Sequence, residues 1–401
     1  MRGNWTETSL GAVAEVDMGQ SPPGDTYNTE GLGMPFMQGS AEFGEHSPRP
    51  VKFCSAPLKI AEVGDLLLSV RAPVGDSNIA DQRIAIGRGL AAIRGNEQAI
   101  TTFLRLLVQS NTRQLLATSG TGMFSSITGK NLRELSIELP PPSEQKRIID
   151  VMASVDAYIA ALQQQAVHAR SARNAVLHEL LTAGGDDWTE TTLGEVAALG
   201  KGGAWGEDEP GQGLVEAVCL RGTDLADLID GQHPAAPVRW LKESELTKAR
   251  CAENMILIET SGSKCGRSVL LTAEMLYAFA RPVVFSNFCR TLQIDLNRIT
   301  NKYAELWFSN AYSNGLIPSY RATSAMPNLD IKSLLRIETI LLPPLNEQKR
   351  IMDIVSAIDV VIRAAVNAIA DAQKLRSGLL SDLLSGEHKI PETYDRLLGA
   401  A

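Results

Sequence analysis

Two long stretches of this 401-residue chain place apolar residues at alternating intervals of four and three. Such spacing is typical of a helix that buries one narrow face against a second helix. The first stretch contains Ile148, Met152, Val155, Ile159, Leu162, Ala166, Ala169, Arg173, Val176 and Leu180 on this face. The second contains Ile351, Val355, Ile358, Ile362, Ala365, Ile369, Ala372, Arg376, Leu379 and Leu383. The stretches are copies at a constant offset (351 − 148 = 203), and each is interrupted by an arginine at the same place.

Each copy is preceded by the sequence Pro-Pro-x-x-Glu-Gln-Lys-Arg-Ile, which begins at Pro140 and at Pro343. Prolines are excluded from helix interiors and hold the residue before them extended, so they predict a helix start. Ser143 and Asn346 are of N-cap type, and the glutamates that follow suit the positive end of a helix dipole. The pattern predicts two helices of roughly 40 residues and about 60 Å that pack against each other. Packing of each helix on its own domain is the alternative.

The two arginines in the apolar faces, Arg173 and Arg376, have three interpretations. They extend out of the helix contact towards solvent, pair with an acid on the opposite helix, or face DNA. A polar residue at one position of a helix contact commonly fixes its register, and this favours a packing role.

A second repeat marks where the domains begin. The sequence Trp5-Thr-Glu-Thr-Ser-Leu-Gly recurs from Trp188, an offset of 183 (188 − 5), so the chain is a tandem duplication of a domain followed by a helix. Between these points the copies share short apolar segments and differ in their Gly- and Pro-containing loops, which predicts an α+β fold with two tandem mixed domains. The predicted bounds are 1–142 for the first domain, 143–185 for the central long helix, 186–345 for the second domain, 346–388 for the C-terminal long helix and 389–401 for a tail.

Composition restricts the class of protein. The net charge of −8 argues against a nucleic-acid binder, unless partner subunits supply much of the contact to phosphates. Five cysteines form no Cys-x-x-Cys pair and five histidines are scattered, so we expect neither a disulfide framework nor a metal site. No apolar run is long enough to cross a bilayer and the N-terminus has no signal core, so a cytoplasmic location is expected.

The duplication, the spacing and the two proline-preceded heptad helices together resemble the DNA-specificity subunit of Type I restriction-modification systems. The resemblance covers nearly the whole chain. It implies two target recognition domains that each read one half of a split site in double-stranded DNA. It also implies two antiparallel helices, forming a coiled coil that sets the gap between the half-sites. The implied partners are two adenine-N6 methyltransferase subunits, and whether restriction or translocase subunits also join stays open. Neither catalytic residues nor cofactors are implied for the chain itself.

Motifs for catalysis agree with a non-catalytic chain. An Asn/Asp-Pro-Pro-aromatic motif, which an adenine methyltransferase would need, does not occur in the sequence, nor does a Gly-x-x-x-x-Gly-Lys-Ser/Thr loop. The segment Ser119-Gly-Thr-Gly lacks a surrounding strand–glycine–helix unit and is interpreted as a loop. Glu-Gln-Lys at Glu144 and at Glu347 matches part of a metal nuclease signature, but no neighbouring carboxylate cluster accompanies it.

Residues for contact with DNA are predicted from side-chain chemistry in the loops. Arginine suits guanine, amides suit adenine, and lysines, hydroxyls and arginines contact phosphates. The candidates are Gln38, Lys52, Arg71, Arg88, Ser125 and Lys130 in the first domain, and Arg221, Lys264, Arg267, Tyr320, Arg321 and Ser324 in the second. For each residue alone, a solvated surface side chain is the alternative, so the hypothesis concerns the two groups.

Two other classes of function are alternatives to DNA recognition. A fused restriction-modification enzyme or nuclease would need the catalytic motifs that the sequence lacks. A coiled-coil adaptor without DNA would have no use for two large domains with unlike loops.

Overall fold

The computed structural model describes residues 4–44, 47–112, 116, 126–322, 327–391 and 393–395. The chain forms two compact units. Unit 1 comprises Met1–Ala161 and Ile369–Ala401, and unit 2 comprises Leu162–Ala368. Each unit therefore combines one globular domain with a segment of each long helix.

The globular domain of unit 1 is built from short strands and helices. Its strands are β1 (Thr6–Ser9), β2 (Ala14–Met18), β3 (Tyr27–Asn28), β4 (Met34–Met37), β5 (Lys52–Cys54), β6 (Ile60–Ala61), β7 (Leu66–Ser69), β8 (Ser77–Ile79), β9 (Ile84–Ile86), β10 (Leu90–Gly95) and β11 (Ser136–Leu139). Its helices are Leu10–Val13, Thr101–Ser110 and Gly129–Arg133. The sheets have the orders β1-β11, β2-β10-β7-β8 and β3-β5-β4-β9-β6. Strands β4 and β9 run parallel.

The globular domain of unit 2 follows the same plan. Its strands are β12 (Thr189–Thr192), β13 (Ala197–Gly202), β14 (Leu214–Leu220), β15 (Val238–Lys242), β16 (Ile256–Glu259), β17 (Ser268–Leu270), β18 (Val283–Phe285), β19 (Cys289–Ile294) and β20 (Thr339–Leu342). Its helices are Leu193–Val196, Asp224–Ile229, Glu243–Ala249, Ala273–Tyr277, Asn301–Ser313, Leu316–Ser319 and Ile331–Ile337. The sheets have the orders β12-β20, β13-β19-β16-β17 and β15-β14-β18.

Three features recur in both units and confirm the α+β fold with tandem repeats. The strand at the start of each domain pairs with the strand that leads into the long helix, β1 with β11 and β12 with β20. Each unit has a four-stranded antiparallel sheet around a fully buried strand, β7 or β16. Each also has a parallel strand pair, β4–β9 or β14–β18.

The long helices comprise Pro142–Thr182 and Leu345–Leu384. Each begins one residue before the predicted start, because the carbonyls of Pro141 and Pro344 already accept hydrogen bonds from first-turn amides. In the first helix the first helical position is Pro142, whose fixed φ suits it and which lacks only an amide that would have no partner there; in the second helix this position is Leu345. Ser143 and Asn346 therefore lie within the first turn, which corrects their assignment as N-caps.

Within each unit, the helix segments lie next to each other in antiparallel order. In unit 1, Ile148 and Met152 share a core with Leu380 and Leu383. Unit 2 has a core that combines Leu177 and Leu181 with Ile351 and Val355. Rising residue numbers in one helix thus match falling numbers in the other, which agrees with the antiparallel arrangement of the fold class.

Most predicted residues of the helix contact are buried or half-buried. Buried members are Ile148, Met152, Ile159, Ala166, Ile351, Val355, Ile362, Ala372 and Leu383, and half-buried members include Val155, Leu162, Ile358 and Ile369. Near the end of the first helix, Leu177 and Leu181 are buried more deeply than the predicted Val176 and Leu180. An α-helix drifts relative to a strict heptad, and this end packs onto the second domain, so the buried face moves by one residue.

Candidate nucleic-acid interface

In the first domain, three loops meet at the carboxyl ends of the parallel strands β4 and β9. We call the segments 19–21, 38–40 and 87–89 the first loop cluster. Gly87 donates its amide to the carbonyl of Met37 (2.8 Å), and Gly89 donates to Gln38 (3.1 Å). Gln20 donates to Ile86 (3.0 Å). Side chains at the carboxyl ends of the parallel strands are therefore held close together.

The first loop cluster carries two of the predicted residues, Gln38 and Arg88, and a third, Arg71, lies beside it. Gln38 exchanges hydrogen bonds with Ser21 Oγ, 2.7 Å from Nε2 and 3.2 Å from Oε1. Arg88 is exposed, and its amide donates to the same hydroxyl at 3.4 Å. Arg71, also exposed, directly follows Val70, whose amide donates to Gly89 at 2.9 Å. The cluster thus carries the Gln38 amide and the exposed Arg88, and the backbone next to Arg71 is bonded to it.

The second domain builds an equivalent arrangement from different residues. We call the segments 203–205, 221–223 and 286–288 the second loop cluster. Ser286 donates its amide to the carbonyl of Leu220 (2.9 Å), and Ala204 donates to Phe285 (2.9 Å). These backbone bonds match those of the first loop cluster, so Trp205 takes the place of Ser21. By the same match, Arg221 corresponds to Gln38 and Asn287 to Arg88.

A cavity of about 750 Å³ opens at the second loop cluster. Its lining includes the aromatic side chains of Trp205 and Phe288 together with the polar residues Arg221, Lys264 and Asn287. Apolar walls with a few polar side chains are the usual composition of a recognition site.

Two arginines at this cavity are held by buried carboxylates. Arg221 donates from Nε and Nη2 to Asp224 at 2.9 and 2.8 Å, and this bond raises the pKa of Arg221. Arg267 donates to Glu259 at 2.8 Å and to the carbonyl of Gly222 at 3.0 Å. The side chain of Arg221 stays 41% exposed, while that of Arg267 is only 12% exposed. Arg221 is therefore presented to solvent, and Arg267 mainly ties two loops together.

The other predicted residues of the first domain lie on regular elements. Lys52 is exposed on β5, opposite Phe36 of β4. Lys130 is exposed on the helix Gly129–Arg133 and forms a loose ion pair with Glu134 (3.8 Å). Both lysines keep their ammonium groups near solvent, as a contact to phosphate requires.

Tyr320 and Arg321 of the second domain have partners inside the domain. The Tyr320 hydroxyl donates to Glu338, which raises the pKa of Tyr320 to about 12. Arg321 donates from Nε to the carbonyl of Cys265 at 2.8 Å and lies over the ring of Tyr312. Lys264 is exposed at the cavity.

Ser125 and Ser324 lie outside the described residues. The role of each predicted residue in DNA contact stays a prediction.

Sequence reasoning missed four residues of the two clusters, namely Ser21, Trp205, Asn287 and Phe288. Ser21 begins one glycine-containing loop and Trp205 follows another, but no pattern in the sequence indicates that these loops meet the ends of β4 and β14. A constant offset of 183 does not align Ser21 with Trp205 or Arg88 with Asn287, because the second domain is longer.

A buried glutamine in each long helix makes hydrogen bonds to the backbone of its own domain. Gln145 donates from Nε2 to the carbonyls of Gln98 (2.7 Å) and Pro140 (2.8 Å), while Oε1 accepts from the amide of Ile100 (2.8 Å). The repeat position, Gln348, makes the same three bonds to Arg298 (2.9 Å), Pro343 (3.0 Å) and Thr300 (3.0 Å). Sequence analysis assigned the Glu of this motif to the helix dipole and overlooked the glutamine.

The arginines inside the heptad faces pair with acids on the opposite helix. In unit 2, Arg173 donates from Nε to Asp359 at 2.7 Å. In unit 1, Arg376 donates from Nε and Nη2 to Asp156. Of the three interpretations of these arginines, the structure agrees with interhelical pairing.

Among the residues that the structure describes, no group of three or more His, Cys, Asp or Glu side chains could hold a metal ion. The helices in the described part of the chain include none with the length and apolarity needed to cross a membrane.

Comparison with known proteins gives consistent results. The family model described as "Type I restriction modification DNA specificity domain" matches residues 2–167 and 185–369. The MjaX specificity subunit of a type I restriction enzyme from Methanocaldococcus jannaschii is 40% identical over 182 residues, which are 45% of this chain. This match covers 43% of that relative, so the chain spans less than half of its length.

Two solved structures resemble the chain over nearly its whole length. One is the S subunit of a Type I restriction-modification system from M. genitalium, with 14% identity, 95% and 96% coverage of the two chains and a TM-score of 0.48. The other is the HsdS subunit from Thermoanaerobacter tengcongensis, with 19% identity, 96% and 98% coverage and a TM-score of 0.43.

Proposed function

Because the chain belongs to the Type I restriction-modification DNA specificity domain family, we propose that it is the DNA-recognition subunit of such a complex. The first and second loop clusters each read one half of a split site in double-stranded DNA. The long helices keep the two loop clusters at a set distance from each other. They also offer a docking surface to two adenine-N6 methyltransferase subunits. The chain itself carries out no catalysis.

One observation carries the proposal. The same backbone hydrogen bonds bring three loops together in each domain, yet the side chains on those loops differ: Ser21, Gln38 and Arg88 correspond to Trp205, Arg221 and Asn287. A repeated scaffold with unlike polar side chains suits two different base sequences, since amides and arginines select different bases. The net charge of −8 fits a subunit whose partners supply much of the contact to phosphates.

The experiment expresses the full chain with its methyltransferase in cells and maps methylated adenines by single-molecule sequencing. A two-part motif with a fixed gap is expected, and the purified chain alone should transfer no methyl groups. Methylation without the chain at the same motif, or a continuous motif without a gap, would contradict the proposal.

A second variant tests the spacing role. Seven residues that continue the heptad are inserted after Ala161 and also after Ala368, which preserves antiparallel pairing on both sides. Each insertion adds about 10 Å of helix, equal to at most about three base pairs. The gap should widen while the bases of both half-sites stay the same. Altered half-site bases with an unchanged gap would show that the helices do not set the spacing.

A further inference from the structure

We propose that each loop cluster reads one adenine and one guanine with a paired amide and guanidinium, and that the two positions are exchanged between the domains. The pairs are Gln38 with Arg88 in the first domain and Arg221 with Asn287 in the second. This inference rests on the proposed function and names the bases that the four side chains select.

The first step is positional equivalence. Gln38 is the residue after β4, and Arg221 is the residue after β14. Each of these strands pairs in parallel with a partner, β9 or β18, and Arg88 and Asn287 are both the second residue after that partner. In each domain, therefore, one reading position follows each strand of the parallel pair.

The second step is chemistry. An amide presents a donor and an acceptor together, which fits the N6 and N7 edge of adenine in the major groove. A guanidinium presents only donors, which fits the O6 and N7 acceptors of guanine. We call the residue after β4 or β14 position one (Gln38 or Arg221) and the second residue after β9 or β18 position two (Arg88 or Asn287). Position one is an amide in the first domain and a guanidinium in the second. Position two is a guanidinium in the first domain and an amide in the second.

The third step is orientation of the two side chains at position one. Arg221 donates hydrogen bonds from Nε and from Nη2 to the carboxylate of Asp224. Among the hydrogen bonds of the described residues, none uses Nη1, and the bond from Nη2 to the carbonyl of Ala235 is long at 3.3 Å. The end of the guanidinium is thus available to a base while the carboxylate fixes its direction. Ser21 plays the corresponding part for Gln38, whose amide it contacts at 2.7 Å.

The two side chains at position two are set for contact from solvent. Arg88 and Asn287 are both exposed, and each follows a residue whose amide is bonded to strand β4 or β14. Their backbone is therefore held in place although their side chains have room to meet a base edge.

The test maps methylation motifs for four variants of the full chain, each expressed with its methyltransferase: Gln38→Ala, Arg88→Ala, Arg221→Gln and Asn287→Ala. Gln38→Ala should relax one adenine position and Arg88→Ala one guanine position, both in the same half-site. Arg221→Gln should relax a guanine and Asn287→Ala an adenine, both in the other half-site. Discrimination at each position should fall by about tenfold to a hundredfold.

Controls separate this inference from the proposed function. Lys248→Gln, at an exposed position on the short helix Glu243–Ala249 and outside both loop clusters and both long helices, should leave the motif unchanged. If the wild-type chain directs no two-part motif, the proposed function fails. If it directs one, but the variants of one pair act on different half-sites or leave every base as selective as before, the inference alone is overturned.

Folding is checked because Arg221 pairs with a buried acid. Arg221→Gln is therefore also made with Asp224→Asn, which restores a neutral hydrogen-bonding pair, and thermal melting is compared with the wild type. The exposed Arg88 and Asn287 variants carry the test if both Arg221 variants unfold. A guanine relaxed by Asn287→Ala, or an adenine relaxed by Arg88→Ala, would overturn the assignment.

Discussion

Replacing Gln145 with leucine removes an amide that joins the first long helix to its domain. Gln145 is fully buried, and its side chain makes hydrogen bonds to the carbonyls of Gln98 and Pro140 and to the amide of Ile100. Leucine is similar in size but has no polar atom. The substitution therefore leaves three backbone groups without this partner while keeping the site filled.

The magnitude follows from the cost of unsatisfied groups. A buried donor or acceptor that loses its partner costs about 1–3 kcal/mol. Three such groups at the lower limit give a loss of about 3 kcal/mol in the local stability of unit 1, which is a large part of the 5–15 kcal/mol typical of a domain. Because the chain contains two units, one free energy of unfolding for the whole molecule would not locate this loss.

Hydrogen exchange followed by mass spectrometry locates it. In Gln145→Leu, the peptide containing Ile100 should exchange about 100-fold faster, since each 1.4 kcal/mol corresponds to a factor of ten. The peptide containing Thr300 should keep its wild-type protection. Gln348→Leu should give the opposite result, because it removes the hydrogen bond to the amide of Thr300.

The matched control is Gln164→Leu, an exposed position on the same helix. It should change stability by less than about 0.5 kcal/mol. If the Ile100 peptide exchanges at the same rate in Gln145→Leu as in Gln164→Leu, the side chain of Gln145 does not stabilise the contact between helix and domain.

Three further outcomes are expected. Asp359→Asn should lower the local stability of unit 2 by about 1–3 kcal/mol, measured by hydrogen exchange of the helix peptides that contain Arg173 and Asp359. Exchanging the two residues should restore part of this stability, and equal losses in the single and exchanged variants would contradict the pairing. Burial raises the pKa of Cys219 to about 12, so this thiol should not react with Ellman's reagent at pH 8 until urea unfolds the protein; rapid labelling of the native chain would refute this. Arg147 holds the pKa of Asp395 below its ordinary value, so the tail contact should persist above the unfolded aspartate pKa of about 3.9 and be lost as the pH falls through the lower folded value; tail peptides in Asp395→Asn should already show the faster hydrogen exchange at pH 7.

The sequence was sufficient for the repeat and the long helices, because heptad spacing and proline placement are local signals, whereas the antiparallel order was implied by the family resemblance. The start of each long helix was displaced by one residue because Pro141 and Pro344, rather than the residues of N-cap type, accept hydrogen bonds from the first-turn amides.

The role of the buried glutamines could not be predicted, because their partners are distant in the chain. Gln145 and Ile100 are 45 residues apart, and nothing local marks their meeting. The same holds for the loop clusters, whose members are joined by pairing of β4 with β9 and of β14 with β18. Arg267 illustrates the limit: its loop position suggested DNA contact, but only the fold brings it to buried Glu259.

The repeat also explains why the two helices must change together. Asp156 precedes Arg173 by 17 residues (173 − 156), and Asp359 precedes Arg376 by 17 residues (376 − 359). In antiparallel order, the acid of each helix meets the arginine of the other, as the pairs in unit 1 and in unit 2 do. An insertion between Asp156 and Arg173 alone lengthens one of two equal spacings, so only one ion pair can stay in register. Matched insertions keep the spacings equal and retain both pairs. A chain lengthened in one helix should therefore lose stability, whereas the doubly lengthened chain should stay folded and shift only the gap in its motif.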